Sequence, residues 1–196
     1  MSSLKEQLVV VAGGGAVAKT YIHALKPIAE NEFYLDELGI QATRLNAYAL
    51  LLSLKAKGVN AAMANGLDAL GMALYSNKVA VLAGQFPGIS TDSDAVLACE
   101  ALGCKVLVNI SSTGYVYDKP PEYANAAKLK LVSHEKLLEL ASKYDTRESK
   151  SAFVFDMLAC KLAKRSNIEI RFVDSSIENI RKALTDRKFE GTLVKG

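Results

Sequence analysis

Apolar positions recur along the chain in two periods. Short unbroken apolar runs at 8–12, 58–63, 78–83, 105–110, 169–173 and 191–194 read as strands. Between them lie longer stretches with the three-to-four-residue spacing of helices, at about 15–29, 33–57, 67–74, 133–142, 153–165 and 177–184. A further helix starts at Ser90-Thr91-Asp92 and runs to about Leu102, where Gly103 suits the left-handed residue that closes a helix. Ser133, with Glu135 in the first turn, and Ser175-Ser176 read as caps of the helices that follow them. The segment 111–125 reads as a turn-rich loop and 144–150 as a charged surface stretch. Strands alternating with helices predict an α/β fold, a mainly parallel central sheet with helices on both faces.

Composition narrows this picture. A chain of 196 residues is long enough for a substantial core and reads as one domain. Hydrophobic residues make up 50% and charged residues 23%, an ordinary globular balance. A net charge of +3 does not indicate the broad basic field that nucleic acid needs. Cys99, Cys104 and Cys160 sit in apolar patterns and read as reduced thiols of a cytoplasmic protein. His23 and His134 cannot build a zinc cluster, so no metal site is expected in the chain itself. No signal peptide is expected at Met1-Ser2-Ser3-Leu4, and no run is apolar for long enough to suggest a membrane span.

Candidate chemistry begins at Gly13-Gly14-Gly15, between the first strand and the first helix. Glycines let backbone approach a ligand closely, and a helix start offers free N–H groups and a positive dipole end. Phosphate is the usual occupant, and Lys19 lies one turn on. Tight packing is the plain alternative. The stretch fits neither the P-loop pattern nor the dinucleotide fingerprint. A second glycine loop, Gly84 to Asp92, carries Pro87, Gly88 and the hydroxyls of Ser90 and Thr91 at a helix start. It suits an anionic oxygen, or it is simple capping. Asp36, Gly39 and Thr43 share one helical face, an odd mixture for a core stripe. A carboxylate there can accept from ribose hydroxyls, or the face is solvated or buried between subunits.

Taken together and in order, 9–22, 35–47, 84–91, 116–119 and 155–166 resemble the archaeal-type uridylate kinases of the amino acid kinase superfamily, over nearly the whole chain. The resemblance implies a three-layer αβα amino acid kinase fold. It implies transfer of the γ-phosphoryl group of ATP, accompanied by Mg²⁺, to UMP. It also implies self-association as a dimer or homohexamer, to which the apolar helix 33–57 would contribute. Gly14 matches a glycine at the UMP phosphate, and Asp36 the carboxylate that holds the UMP sugar. Gln85, Phe86, Pro87, Gly88, Ile89, Ser90 and Thr91 match the loop that wraps UMP. Gly15 and Lys19 match positions facing ATP, with lysine where arginine is usual, and Ser111 and Tyr117 match residues around the adenine nucleotide. Asp92 matches the carboxylate that organises the reacting site, and Lys161 a catalytic lysine of related kinases or a side chain reaching solvent.

The chain also departs from the pattern. It enters at the family's second strand, so the first strand and first glycine turn are expected to be lacking. Ser112-Thr113-Gly114-Tyr115 replaces Asn-Val-Asp-Gly, and Pro120 stands where an aspartate near ATP is expected, with Asp118 close by. The halves 1–103 and 104–196 are expected to bind acceptor and ATP. The departures gather on the ATP side, so a noncatalytic nucleotide-binding or assembly protein of the same fold is the alternative, as is a kinase for another small acceptor.

Overall fold

The computed structural model describes residues 7–144 and 155–196. The chain divides into two compact units, 1–102 and 103–196. In the first, β1 (Leu8–Val11), β2 (Ala61–Met63) and β3 (Val79–Leu82) form a parallel sheet in the order β1-β3-β2. The alternation of β3 explains its two-sided burial. Val79 and Val81 face Ala47, Leu51 and Leu54 of α2 (Glu32–Ala56). Ala80 and Leu82 face Leu70, Ala73 and Leu74 of α3 (Leu70–Tyr75) and Ala98 of α4 (Thr91–Ala101). Each fully buried branched side chain of this kind contributes about 1.5–3 kcal/mol of burial free energy. Helices therefore cover both faces, and α1 (Gly15–Leu25) packs against α2.

The second unit holds β4 (Val106–Ile110), β5 (Val116–Tyr117), β6 (Lys128–Leu129), β7 (Leu131–Val132), α5 (His134–Tyr144), α6 (Met157–Arg165), β8 (Glu169–Val173), α7 (Ile177–Leu184) and β9 (Thr192–Val194). The sheet order is β4-β8-β9-β7, with β4 parallel to β8, β7 parallel to β9 and β8 antiparallel to β9. Ile170 and Phe172 on one face of β8 are fully buried, and Phe172 meets Phe155 edge to face at 5.5 Å. On the other face the buried Arg171 pairs with Glu169 and Asp186 and donates to the Ala183 carbonyl at the end of α7. Desolvation works against its charge, but the Asp186 and Glu169 carboxylates outweigh it and hold the guanidinium above its ordinary pKa.

Several boundaries differ from expectation for physical reasons. The first helix stops at Leu25 rather than near 29, because Pro27 has no N–H to return to His23. Ser176 does not cap α7 with its side chain; its own N–H donates to Asp174 Oδ1 at 3.2 Å, and Asn179 Nδ2 donates to the same oxygen at 3.1 Å. The loop 111–125 contains β5, which pairs antiparallel with β6. The last helix-forming stretch around 153 starts at Met157, capped by Asp156, and residues 153–154 lie outside the described ones. Tyr144 is the last residue of α5, and the charged stretch 145–150 also lies outside. Gly103 closes α4 with φ +67°, as its position demands. No helix among the described residues is long and apolar enough to cross a membrane.

Candidate functional site

In the first unit the site is built by one face of α2. Asp36, Gly39, Thr43 and Asn46 are spaced by three and four residues and so line up along the helix. Each polar member holds a glycine of a loop. Asp36 Oδ2 accepts the Gly88 N–H at 2.7 Å. Thr43 Oγ1 accepts the Gly84 N–H at 2.8 Å and donates to the Ile40 carbonyl at 2.7 Å. Asn46 Nδ2 donates to the carbonyls of Gly13 and Gly14 at 2.8 and 3.1 Å. The mixture of carboxylate, glycine and threonine that suits no apolar core suits this docking.

The glycines themselves are where side chains would collide. A Cβ on Gly14 would stand 2.4 Å from the Ala18 Cβ, with Gly39 O and Thr43 Cγ2 just beyond. A Cβ on Gly84 would stand 3.0 Å from Thr43 Oγ1, and one on Gly13 would stand 3.5 Å from Thr91 Oγ1. The first glycine turn, the second glycine loop and the start of α4 are thus mutual neighbours around Thr43. In the second loop the Ile89 N–H donates to the Phe86 carbonyl at 3.2 Å. Pro87 presets the backbone and Gly88, at φ +78°, supplies the left-handed residue of a type II pattern. Phe86 is exposed at its tip.

Helix starts here are not alike. α2 is capped by Asn31, α4 by Ser90, α5 by Ser133 and α6 by Asp156, each accepting a backbone N–H. α4 also carries Asp92 and Asp94 in its first turn. α1 starts at Gly15 with no side-chain cap and no acid in its first turn. Its free N–H groups and positive dipole end are left open, with Gly13 and Gly15 exposed. Lys19 is exposed one turn on and makes no ion pair among the described residues. An anion is the chemical complement of that end.

Asp92 is half-buried at the second position of α4. Asp94, which the sequence reading passed over, is fully buried, and its Oδ2 accepts the Gln85 N–H at 3.1 Å. Only its place two residues after Asp92 could have drawn attention, since nothing in the pattern marks a buried carboxylate.

The remaining sequence-selected residues lie in the second unit. Ser111 follows β4, where its Oγ accepts the Gly114 N–H at 3.1 Å and lies 3.3 Å from Thr113 Oγ1. Tyr117 ends β5. Asp118 closes the β5–β6 hairpin, its Oδ1 accepting the Ala127 N–H at 2.8 Å. Lys161 is exposed on α6, whose buried side is formed by Ala159, Cys160, Leu162 and Ala163. Beside Ser111, Tyr115 donates to Glu190 Oε2 at 2.9 Å, with Lys128 over its ring at 4.6 Å. Burial and then the Glu190 carboxylate push the Tyr115 hydroxyl above its ordinary pKa. Thr192 ties this loop down, accepting the Val116 N–H at 2.9 Å and donating to the Leu129 carbonyl. Sequence reasoning missed Tyr115, Glu190 and Thr192 as a set, because the Tyr115–Glu190 and Val116–Thr192 bonds join positions 75 and 76 residues apart.

The chain as a whole is similar to known proteins over most of its length. The amino acid kinase family matches residues 1–174. A uridylate kinase of Thermococcus sibiricus is 34% identical over 190 residues, 96% of this chain and 84% of that protein. One from Halorubrum lacusprofundi is 36% identical over 168 residues, 85% of this chain and 69% of that protein. Among solved structures, uridylate kinase from Archaeoglobus fulgidus superposes with a TM-score of 0.81 at 31% identity, covering 97% of this chain and 85% of that one. The UMP kinase of Ureaplasma parvum, at 17% identity, shares the fold with a TM-score of 0.71 over 98% of this chain and 100% of that one.

Proposed function

The chain belongs to the amino acid kinase family, and from that premise we propose that it is a phosphotransferase that moves the γ-phosphoryl group of ATP to UMP, giving UDP and ADP. The observation that carries the reading is the start of α1: a glycine turn without cap or acid, followed by an unpaired lysine, in a chain whose relatives are uridylate kinases.

The reaction joins an oxygen of the UMP phosphate to the γ-phosphorus and breaks the bond from that phosphorus to the leaving oxygen of ADP. Alignment and charge neutralisation supply most of the catalysis. In this reading the Gly14 amide binds the UMP phosphate, and Gly15 and Lys19 face the transferring phosphates. Asp36 has a second carboxylate oxygen beyond the one that holds Gly88, and that oxygen accepts from the ribose. Gln85 to Thr91 surround the uridine side. Asp92 orients the groups at the reacting centre. Unit 103–196 binds the adenine nucleotide through Ser111, Tyr117 and Asp118, with Lys161 as a further cation.

Mg²⁺ arrives with ATP as part of the substrate. No group of three or more potential ligands stands together among the described residues. Mg²⁺ of this kind is commonly held by phosphate oxygens and water with one or two carboxylates. The reading includes a cytoplasmic location, in keeping with Cys99, Cys104 and Cys160 being thiols rather than disulfides.

The reading also includes self-association through α2. Tyr34, Leu45, Tyr48 and Leu52 are each half or more exposed and fall on one stripe of the helix. Light scattering at micromolar concentration should give a dimer or a larger multiple, and Leu45→Glu should lower it. A monomeric wild type refutes this part.

The activity itself is tested by a coupled assay with ATP, Mg²⁺ and UMP, beside calorimetry with UMP, CMP and AMP. UDP formation with preference for UMP is expected. Binding without turnover would instead support a noncatalytic nucleotide-binding protein. Equal affinity for the three monophosphates would point to a different acceptor.

A further inference from the structure

The backbone of the Gly13–Gly15 turn is tied to α1, where the Gly14 carbonyl accepts the Ala18 N–H at 3.0 Å, and to α2. Asn46 Nδ2 donates to both Gly13 O and Gly14 O. A trans peptide is planar, and its N–H points opposite to its carbonyl. Two carbonyls drawn toward α2 therefore turn the N–H groups of Gly14 and Gly15 away from it, to the open start of α1. Thr43, one turn earlier on α2, fixes the second loop. Its hydroxyl proton is committed to Ile40 O at 2.7 Å, which leaves a lone pair for the Gly84 N–H at 2.8 Å. Its methyl stands 3.7 Å from the place of a Gly14 Cβ and 3.5 Å from that of a Gly84 Cβ. One side chain thus spaces both glycines.

Resting on the reading of the previous section, we propose that Thr43 and Asn46 are positioning residues for the acceptor. Asn46 aims the amides that receive the UMP phosphate, and Thr43 sets the distance between that turn and the loop that closes over the nucleotide. Neither touches substrate. Their effect is read in UMP affinity, with smaller consequences for ATP.

The experiment compares wild type, Asn46→Ala, Thr43→Val and Thr43→Ser by UMP calorimetry, steady-state kinetics and thermal unfolding. Asn46 is half-buried, and water can replace its two bonds, so Asn46→Ala should unfold within a few degrees of wild type. Its KM for UMP should nonetheless rise about tenfold or more, the scale of one or two lost hydrogen bonds, with KM for ATP within about twofold. Thr43→Val should weaken UMP by a similar factor and also unfold earlier, since the Gly84 N–H is left buried without its acceptor. Thr43→Ser keeps the hydroxyl and should bring UMP affinity back to within about threefold of wild type. A purely structural role predicts that affinity falls only in step with stability and that both KM values move together, and that pattern overturns the proposal. Wild-type turnover of UMP, with Asn46→Ala equal to it in UMP affinity, overturns the positioning role alone. A wild type that neither binds nor converts UMP removes the functional reading, and this inference with it.

Discussion

Alanine scanning of Gly13, Gly14 and Gly15 should give three different answers from three adjacent glycines. On Gly14 the new methyl would sit 2.4 Å from the Ala18 Cβ, in a backbone of ordinary helical φ −73°. Carbon atoms settle at about 3.5–4.0 Å, so the first turn of α1 must move by roughly 1 Å. Ala18 is buried and has no flexible end to swing aside. Overpacking of this kind costs about 1–3 kcal/mol, or roughly 3–10 °C of thermal midpoint for a chain of this size. A shift of about 1 Å at a reacting centre is worth up to roughly a hundredfold in rate. On Gly13 the methyl meets only Thr91 Oγ1, at an ordinary 3.5 Å, and stability should stay within about 0.5 kcal/mol. On Gly15 the methyl would meet Asn46 Nδ2 at an ordinary 3.9 Å, but φ is +56°, so alanine there costs about 1 kcal/mol of left-handed strain without pushing α1. Circular-dichroism melts beside UMP calorimetry separate the three. Gly14→Ala with wild-type midpoint and affinity, or Gly13→Ala as damaged as Gly14→Ala, would refute the packing argument.

Two further predictions concern unit 103–196. Arg171→Met leaves Glu169 and the Ala183 carbonyl without their cation, although the largely exposed Asp186 can turn to water. A loss of about 2 kcal/mol in urea unfolding is expected, below the usual cost of breaking a fully buried pair, and less than about 0.5 kcal/mol would contradict it. The hydroxyl of Tyr115 has its folded pKa raised above the unfolded 10.0, so it binds its proton more tightly in the folded state. Its contribution is full below pH 10 and falls as pH rises through the folded value. The urea-midpoint difference between wild type and Tyr115→Phe should shrink from pH 8 to pH 11, and a difference that widens would reverse the assignment.

Long elements were legible in the sequence because their periodicity is set by burial. β3 reads as a strand, since both its faces are covered, and Gly103 reads as a helix stop, since its φ is positive. β5, β6 and β7 were not legible, because two residues carry no period; β5 and β6 are tied by Asp118–Ala127 and Val116–Thr192, and β7 by the Leu193 N–H to the Lys130 carbonyl. Pro27 did mark the end of α1, and apolar residues beyond it masked the signal. At the site, the sequence showed that Asp36, Gly39 and Thr43 share a face but not what that face meets. Its meaning lies in Gly88 and Gly84, more than 40 positions away. Asp94 was hidden for the same reason: its buried carboxylate accepts the Gln85 amide that the β3–α4 loop brings to it.

The two helix starts near the glycines carry opposite electrostatics, and that difference sorts their roles. At α4, Ser90 already accepts the Ser93 N–H, and Asp92 and Asp94 already complement the dipole. Each such carboxylate contributes about 0.3–1 kcal/mol to the helix and repels an incoming phosphate by a comparable amount. At α1, among the described residues, no side-chain cap or first-turn acid offsets the dipole, and Lys19 adds a positive charge. The proposed placement of phosphate at Gly13–Gly15 and of the nucleoside at the Gly84–Thr91 loop, tethered to Asp36, follows this electrostatic difference. Ser90 is a cap first, its Oγ accepting the Ser93 N–H at 3.1 Å. α1 has no side-chain cap, so beyond its own Ala18 N–H bond to the Gly14 carbonyl the turn is tied by Asn46 from α2, which donates to the carbonyls of Gly13 and Gly14.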